Sequence, residues 1–216
     1  GIGHYWGYRN FEAPDASTNI SPWGILIGGE ELHNNHHTYP TSAKLSVKAY
    51  EFDIGWLYIR LLETLGLAHV KKTPPKLQLG AIQPVADEKT LEAVIVNRYE
   101  LMASYARQLK RAVAQEIARL PNQPAESVLT VARRWMHRDA DKVPSWASQS
   151  LVQARAVLPD ADTMVRMREE LSELWLSTNR SRHQLASDLQ AWCRKAESSG
   201  VAALQEFSLR LRMARL

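Results

Sequence analysis

The sequence predicts an all-α chain: a glycine- and aromatic-rich first third, then a long helix and a small helical bundle. Three observations carry that expectation. Apolar residues recur at i, i+3, i+4 and i+7 through Asp53–Leu67 and through most of residues 87–216. Glycine almost disappears after residue 87, with Gly200 standing alone. Cap residues and prolines also fall where helices start and stop.

Taken in order, residues 30–38 are the first candidate. If they are helical, His33, His36 and His37 stand at i, i+3 and i+4 and share one face. Asp53–Leu67 reads as an amphipathic helix, with Ile54, Leu57, Tyr58, Leu61, Leu62 and Leu65 on one side and Arg60, Glu63 and Thr64 opposite. Lys71, Lys72 and Lys76 follow, a pattern suited to a membrane interface. Three prolines and a glycine in residues 73–86 (TPPKLQLGAIQPVA) mark a change of composition, and 77–86 is expected to be a linker between a first domain, 1–76, and a helical extension, 87–216.

Beyond it, Asp87 caps a long helix expected from Glu88 to Leu120 and ended by Pro121; its stripe is Leu91, Val94, Ile95, Leu101, Met102, Tyr105, Leu109, Val113 and Ile117. Ser127–His137 follows with Val128, Leu129, Ala132, Trp135 and Met136 inward. Pro144 opens a helix to about Leu158, and Thr163–Trp175 forms another. Ser181 with Gln184 makes a capping box for a helix to about Glu197, and Gly200 separates it from Val201–Met213. Trp135, Trp146, Trp175 and Trp192 lie at helical spacing with leucines and are expected in the core.

Composition bounds the function. The net charge is +4 over 216 residues, too mild to specify a partner. The single Cys193 excludes an internal disulfide framework and suits a reducing compartment. No run approaches the ~20 apolar residues of a spanning helix, and no signal peptide is expected. Yet Tyr5, Trp6, Tyr8, Trp23, Trp56 and Tyr58 are interleaved with leucine and isoleucine, as in the aromatic belts of membrane proteins.

The chemistry concentrates in EELHNNHHTYP, Glu30–Pro40, which holds three of the seven histidines. Neutral imidazole suits iron, zinc, copper or nickel, so these residues alone do not name a metal. A zinc protease would need H-E-x-x-H, which is absent, and a structural zinc finger would need more cysteines. His69, His137 and His183 have no second histidine at ligand spacing and read as surface residues.

From GIGHYWGYRNF through ISPWGILIGGEELHNNHHTYPTSAK to GLAHVKK, about residues 1–76, the chain resembles the C-terminal part of a bacterial membrane fatty-acid desaturase of the delta-9 type. In that family HNNHH corresponds to the third histidine box, H-x-x-H-H, and His4 to an extra histidine at the cytosolic end of the last membrane helix. The resemblance implies a centre of two non-haem iron ions, with His4, His33, His36 and His37 as ligands. Glu30, Glu31, Asn34 and Asn35 are close enough in sequence to orient those rings, Glu30 and Asn34 foremost.

It further implies a fatty-acyl substrate, O2, a ferredoxin-like or flavin electron donor, membrane lipid around the enzyme, and a place on the cytoplasmic side of the bacterial inner membrane. The first two histidine boxes and their membrane helices are not in this sequence. The chain alone is therefore expected to be inactive, with the missing N-terminal half of its domain as its first partner.

Residues 87–216 resemble the C-terminal extension of some bacterial desaturases of this type. ARRWMHRDADKVPSWASQSL, MREELSELW, QAWCRKAESSG and LQEFSLRL also resemble the C-terminal helical segment of certain DDE transposases. A transposase-related nucleic-acid-binding fragment is thus one alternative, and a helical interaction module with a non-iron metal is another. Against nucleic acid, Glu169, Glu170, Glu173 and Asp139 interrupt the arginine clusters, as on an ordinary solvated face.

Overall fold

The histidine-bearing stretch folds as a helix of only six residues, well short of the ~12–15 at which an isolated helix becomes even marginally stable in water. The computed structural model that shows this describes the chain except residues 1, 12, 14, 122, 123 and 178 and the side chain of residue 141. It divides into two units, Gly1–Lys76 and Leu77–Leu216.

In the first unit, β1 (Trp23–Gly24) leads through a 3-10 turn at Glu30–Leu32 into α1 (His33–Thr38). Then β2 (Phe52–Asp53) pairs parallel with β1 and runs into α2 (Ile54–Thr64). Among the described residues of this unit the buried apolar side chains are Phe11, Ala13 and Leu32. So small an apolar core leaves a buried polar network to hold the unit, and such networks stabilise only when fully paired.

Glu51 is one hub: Oε1 accepts from the Tyr8 hydroxyl (2.7 Å) and Asn10 Nδ2 (2.5 Å). Its Oε2 accepts from Asn35 Nδ2 (2.9 Å) and from the amides of Val47 (2.8 Å) and Lys48 (2.9 Å). Asp53 is the other. Its Oδ1 caps α2 through the Trp56 amide (2.9 Å), while Oδ2 accepts from the Leu45 (2.6 Å) and Ser46 (3.2 Å) amides.

Helix α2 has the expected amphipathic pattern, but none of its side chains is buried. Leu57, Tyr58, Leu61 and Leu62 are 42–57% exposed. The helix stops at Thr64, before the expected Leu67, because Gly66 adopts φ +72° and the Leu67 amide turns back to the Leu62 carbonyl (2.9 Å). Among the described residues no helix is long and apolar enough to cross a membrane.

In the second unit, β3 (Gln78–Leu79) lies in the segment expected as a linker. The helix expected over Glu88–Leu120 is two helices, α3 (Glu88–Val96) and α4 (Arg98–Arg119). Asn97 divides them: it is buried, leaves helical geometry at φ −100°, ψ 15°, and its side-chain amide bonds the Ala93 carbonyl (2.9 Å). A side chain that competes for the backbone in this way interrupts the helical ladder. The expected stripe still points inward on both pieces, with Ile95 only partly buried.

The rest follows as α5 (Glu126–Trp135), α6 (Ser145–Val157), α7 (Pro159–Leu176), α8 (Arg182–Ser198) and α9 (Ala202–Met213). Helix α7 starts four residues earlier than expected, with Pro159 at its first position, where a missing N–H costs nothing. The Ser181–Gln184 capping box forms in both directions, and Gly200 turns the chain at φ +76°. A last strand, β4 (Ala214–Arg215), pairs antiparallel with β3.

Helix α4 packs on α7, α7 on α8, α8 on α9 and on α3, and α5 on α6. At the centre, the Tyr105 hydroxyl donates to the Met164 carbonyl (2.6 Å) and its ring meets Phe207 edge-on at 4.8 Å. The Trp192 indole donates to the Met167 carbonyl (2.8 Å). Of the four tryptophans expected in the core, only Trp192 is buried: Trp135 and Trp175 are half-buried and Trp146 is 66% exposed. Trp146 lies in the first turn of α6, where its ring meets Trp135 edge-on instead of entering the core. His183 is exposed as expected; His137 is half-buried, its carbonyl held by the buried Arg168 (2.9 Å).

Candidate metal centre

Helix α1 carries two opposed faces. Asn34, Asn35 and Thr38 are buried, while His33, His36 and His37 stand on the other side, partly exposed. The buried face fixes the helix. Asn34 Oδ1 accepts from the Asn10 (2.9 Å) and Phe11 (3.0 Å) amides, and its Nδ2 donates to the Phe11 (3.1 Å) and Ser17 (3.3 Å) carbonyls. Asn35 Oδ1 accepts from Asn10 (2.8 Å) and Asn19 (3.2 Å), and its Nδ2 donates to the Leu45 carbonyl (2.9 Å) as well as to Glu51. These bonds set the direction in which the histidine face points.

His4 arrives from a 3-10 turn, Ile2–His4. The Gly3 carbonyl at the centre of that turn accepts from the Thr18 amide (2.6 Å) and hydroxyl (3.0 Å). The fit is close, since a Cβ on Gly3 would lie 3.0 Å from Cδ2 of His33 and the ring would have to shift by a few tenths of an ångström. The result joins residues 29 apart: His4 Nε2 is 3.1 Å from His33 Nε2, and the rings are edge-on at 4.9 Å. His37 lies 4.3 Å from His33 and 5.3 Å from His4 between ring centroids.

One ring nitrogen from each of His4, His33 and His37 falls within 4.8 Å of the others. His36 shares the helix face but is not in that triplet; its ring lies parallel to His33 at 6.3 Å and 5.8 Å from His37.

The donor set fits a transition-metal ion. Two nitrogens each ~2.1 Å from one ion lie ~3.0–3.4 Å apart between octahedral and tetrahedral angles, which includes the His4–His33 separation. The second ring nitrogens of His33 and His37 are also engaged. Glu30 meets His33 Nδ1 at 3.2 Å and His36 Nδ1 at 3.8 Å, and Asp15 meets His37 Nδ1. Carboxylates on the far nitrogen fix tautomer and aim.

Partial burial holds the His33 imidazole below its ordinary value, against the upward pull of Glu30, and so favours the neutral form a metal requires. Burial pushes the Asp15 carboxyl up, but hydrogen bonds from Ser17 and the His37 ring outweigh it and bring it down to about 2.

Of the residues expected to orient the rings, Glu30 bonds that of His33 and lies 3.8 Å from Nδ1 of His36. Asn34, Asn35 and Glu31 touch none. The two asparagines anchor the helix, and Glu31 gathers the Leu26 (2.5 Å) and Ile27 (3.1 Å) amides, closing the loop before it. Asp15 was not expected. It is 22 residues from His37, and no local spacing in the sequence links the two.

Comparison with known proteins agrees with the family resemblance. The chain is 49% identical over 74 residues to an sn-2 palmitoyl-lipid 9-desaturase of Nostoc sp. (strain 36), covering 34% of this chain and 26% of that protein. It is 41% identical over 75 residues to an sn-1 stearoyl-lipid 9-desaturase of Anabaena variabilis, 35% of this chain and 28% of that one. Against Delta-9 acyl-lipid desaturase 1 of Arabidopsis thaliana it is 37% identical over 75 residues, 35% and 25% respectively. The chain thus spans about a quarter of the length of these relatives. No family model matches it, and no solved structure is significantly similar. About a third of this chain is similar to delta-9 acyl-lipid desaturases, cyanobacterial ones among them.

Proposed function

We propose that residues 1–76 supply part of the active site of an O2-dependent fatty-acyl desaturase, with His4, His33, His36 and His37 as ligands to two non-haem irons. The meeting of His4 with the H-x-x-H-H histidines across 29 residues carries the reading. Bound iron would supply the oxygen activation needed to remove hydrogen from an unactivated methylene, which side-chain acids and bases cannot do. The chain's own residues hold the ligands in place: Glu30 steadies His33 through Nδ1, while Asn34 and Asn35 lock the backbone beneath them.

Four imidazoles are too few to enclose two irons, so the remaining ligands belong to a longer parent enzyme and this chain alone does not turn over. The exposed apolar side chains Trp23, Ile25, Leu26 and Ile27, and the apolar face of α2, support contact with lipid and with the rest of that enzyme at the cytoplasmic side of the bacterial inner membrane. An acyl substrate, O2 and a ferredoxin-like or flavin electron donor complete the reaction.

The experiment is metal analysis and fatty-acid profiling of cells expressing the parent enzyme. Iron should be bound in preference to zinc, a cis double bond should form, and both should be lost in His4→Ala and His37→Ala. An active parent without iron, or an iron protein that alters no lipid, refutes the assignment.

A further inference from the structure

We propose that Asp15 is a positioning residue for this site: its carboxylate holds His37 through Nδ1 and so leaves Nε2 as the ring nitrogen that faces the metal. The inference rests on the reading of His37 as a ligand. Division of labour among the carboxylates supports it. Glu30, one turn before the box, bonds His33 Nδ1 (3.2 Å) and lies 3.8 Å from His36 Nδ1, and its oxygens are not within 4.0 Å of a His37 ring nitrogen. Asp15 reaches His37 from a different segment.

That segment is built to bring it there. Asp15 Oδ1 accepts the Ser17 amide (2.9 Å), which turns the side chain, and the Asp15 carbonyl accepts Arg9 Nη1 (3.0 Å). Arg9 also donates through Nη2 to the Ala13 carbonyl (2.8 Å), so one guanidinium holds both carbonyls. Asn34, the buried neighbour of His33, pins Phe11 and Ser17 on either side of Asp15. The loop that presents the carboxylate and the helix that presents the imidazole are therefore fastened together by a residue within the box itself.

An imidazole free to choose its tautomer would place the proton on Nε2 for part of the time and could not ligate through it. A carboxylate on Nδ1 removes that freedom and makes the ring a better donor. Asparagine can still accept the Nδ1 proton through its amide oxygen but lacks the charge; alanine does neither.

The test uses the full chain in detergent micelles at pH 8, with Co2+ alone as the probe and two readouts. Nitrogen-15 NMR of the histidine rings without metal reports the tautomer. His37 should carry its proton on Nδ1 in the unsubstituted chain and in Asp15→Asn, and should shift toward the Nε2-protonated form in Asp15→Ala. Cobalt titration by visible absorption should show Asp15→Ala weakened by about ten- to a hundredfold, Asp15→Asn falling between, and His37→Ala at least as weak as Asp15→Ala. If His37→Ala lowers affinity while Asp15→Ala changes neither affinity nor tautomer, the role of Asp15 is overturned and the ligand assignment stands. If His37→Ala leaves affinity unchanged, the ligand assignment itself falls, and this inference with it.

Discussion

Replacement of Asn34 by alanine should loosen the histidine helix and the loop it holds, without touching any ring. In the folded chain Asn34 is fully buried and makes four hydrogen bonds to backbone groups of residues 10–17. Alanine removes the acceptor from the Asn10 and Phe11 amides and the donor from two carbonyls. Each buried group left without a partner costs about 1–3 kcal/mol. Alanine's better helix propensity returns at most ~0.7 kcal/mol. Counting the two amides at mid-range and subtracting that gain leaves a loss of about 3 kcal/mol, which is more than a hundredfold in the local opening equilibrium.

Amide hydrogen exchange read by mass spectrometry on the full chain measures this directly. Protection of peptides spanning residues 8–20 and 33–39 should fall by about two orders of magnitude, while peptides within α4 should be unchanged. Unchanged protection over residues 8–20 in Asn34→Ala would refute the view that this side chain, and not the small apolar core, fastens the loop to the helix.

Gly3→Ala should weaken Co2+ binding severalfold with no change in the melting of the second unit, because the added Cβ would press on the His33 ring; an unaltered titration contradicts the close packing of the His4 turn. Asp87→Ala should destabilise the second unit by about 1 kcal/mol at pH 7, or somewhat less given the exposed side chain, by removing the cap bonded to the Thr90 amide (2.8 Å). That amide holds the Asp87 carboxyl below its ordinary value, so the stabilisation is complete above the unfolded value of ~4 and is lost as pH falls through the folded one. Urea midpoints of the two proteins should therefore converge in acid, and a gap that persists there speaks against the cap. Burial pushes the Cys193 thiol up to about 11, so iodoacetamide at pH 8 should label it only as urea unfolds the second unit. Rapid labelling of the native chain would show that the α8–α9 interface is open.

Helical periodicity, the Asp87 cap, the Ser181–Gln184 box and the i, i+3, i+4 histidines are local features. Each is decided by spacing within a few residues, and the sequence by itself determined them. The break at Asn97 was not visible, because asparagine in a helical stripe interrupts the ladder only when burial turns its amide onto the Ala93 carbonyl. Trp146 likewise has the spacing of a core residue but an exposed ring, since spacing names a face and not what covers it.

At the histidine site the same division holds. Which residues could ligate was legible in HNNHH and, through family resemblance, in His4. Which of them meet was settled by contacts between distant segments: Thr18 on the Gly3 carbonyl, Asn34 on residues 10–17, and Asp15 on His37. Hydrogen bonds joining residues 15–29 positions apart leave no period in a sequence, so only the tertiary structure could place His4 beside His33, leave His36 outside the triplet, and bring an aspartate to the back of His37.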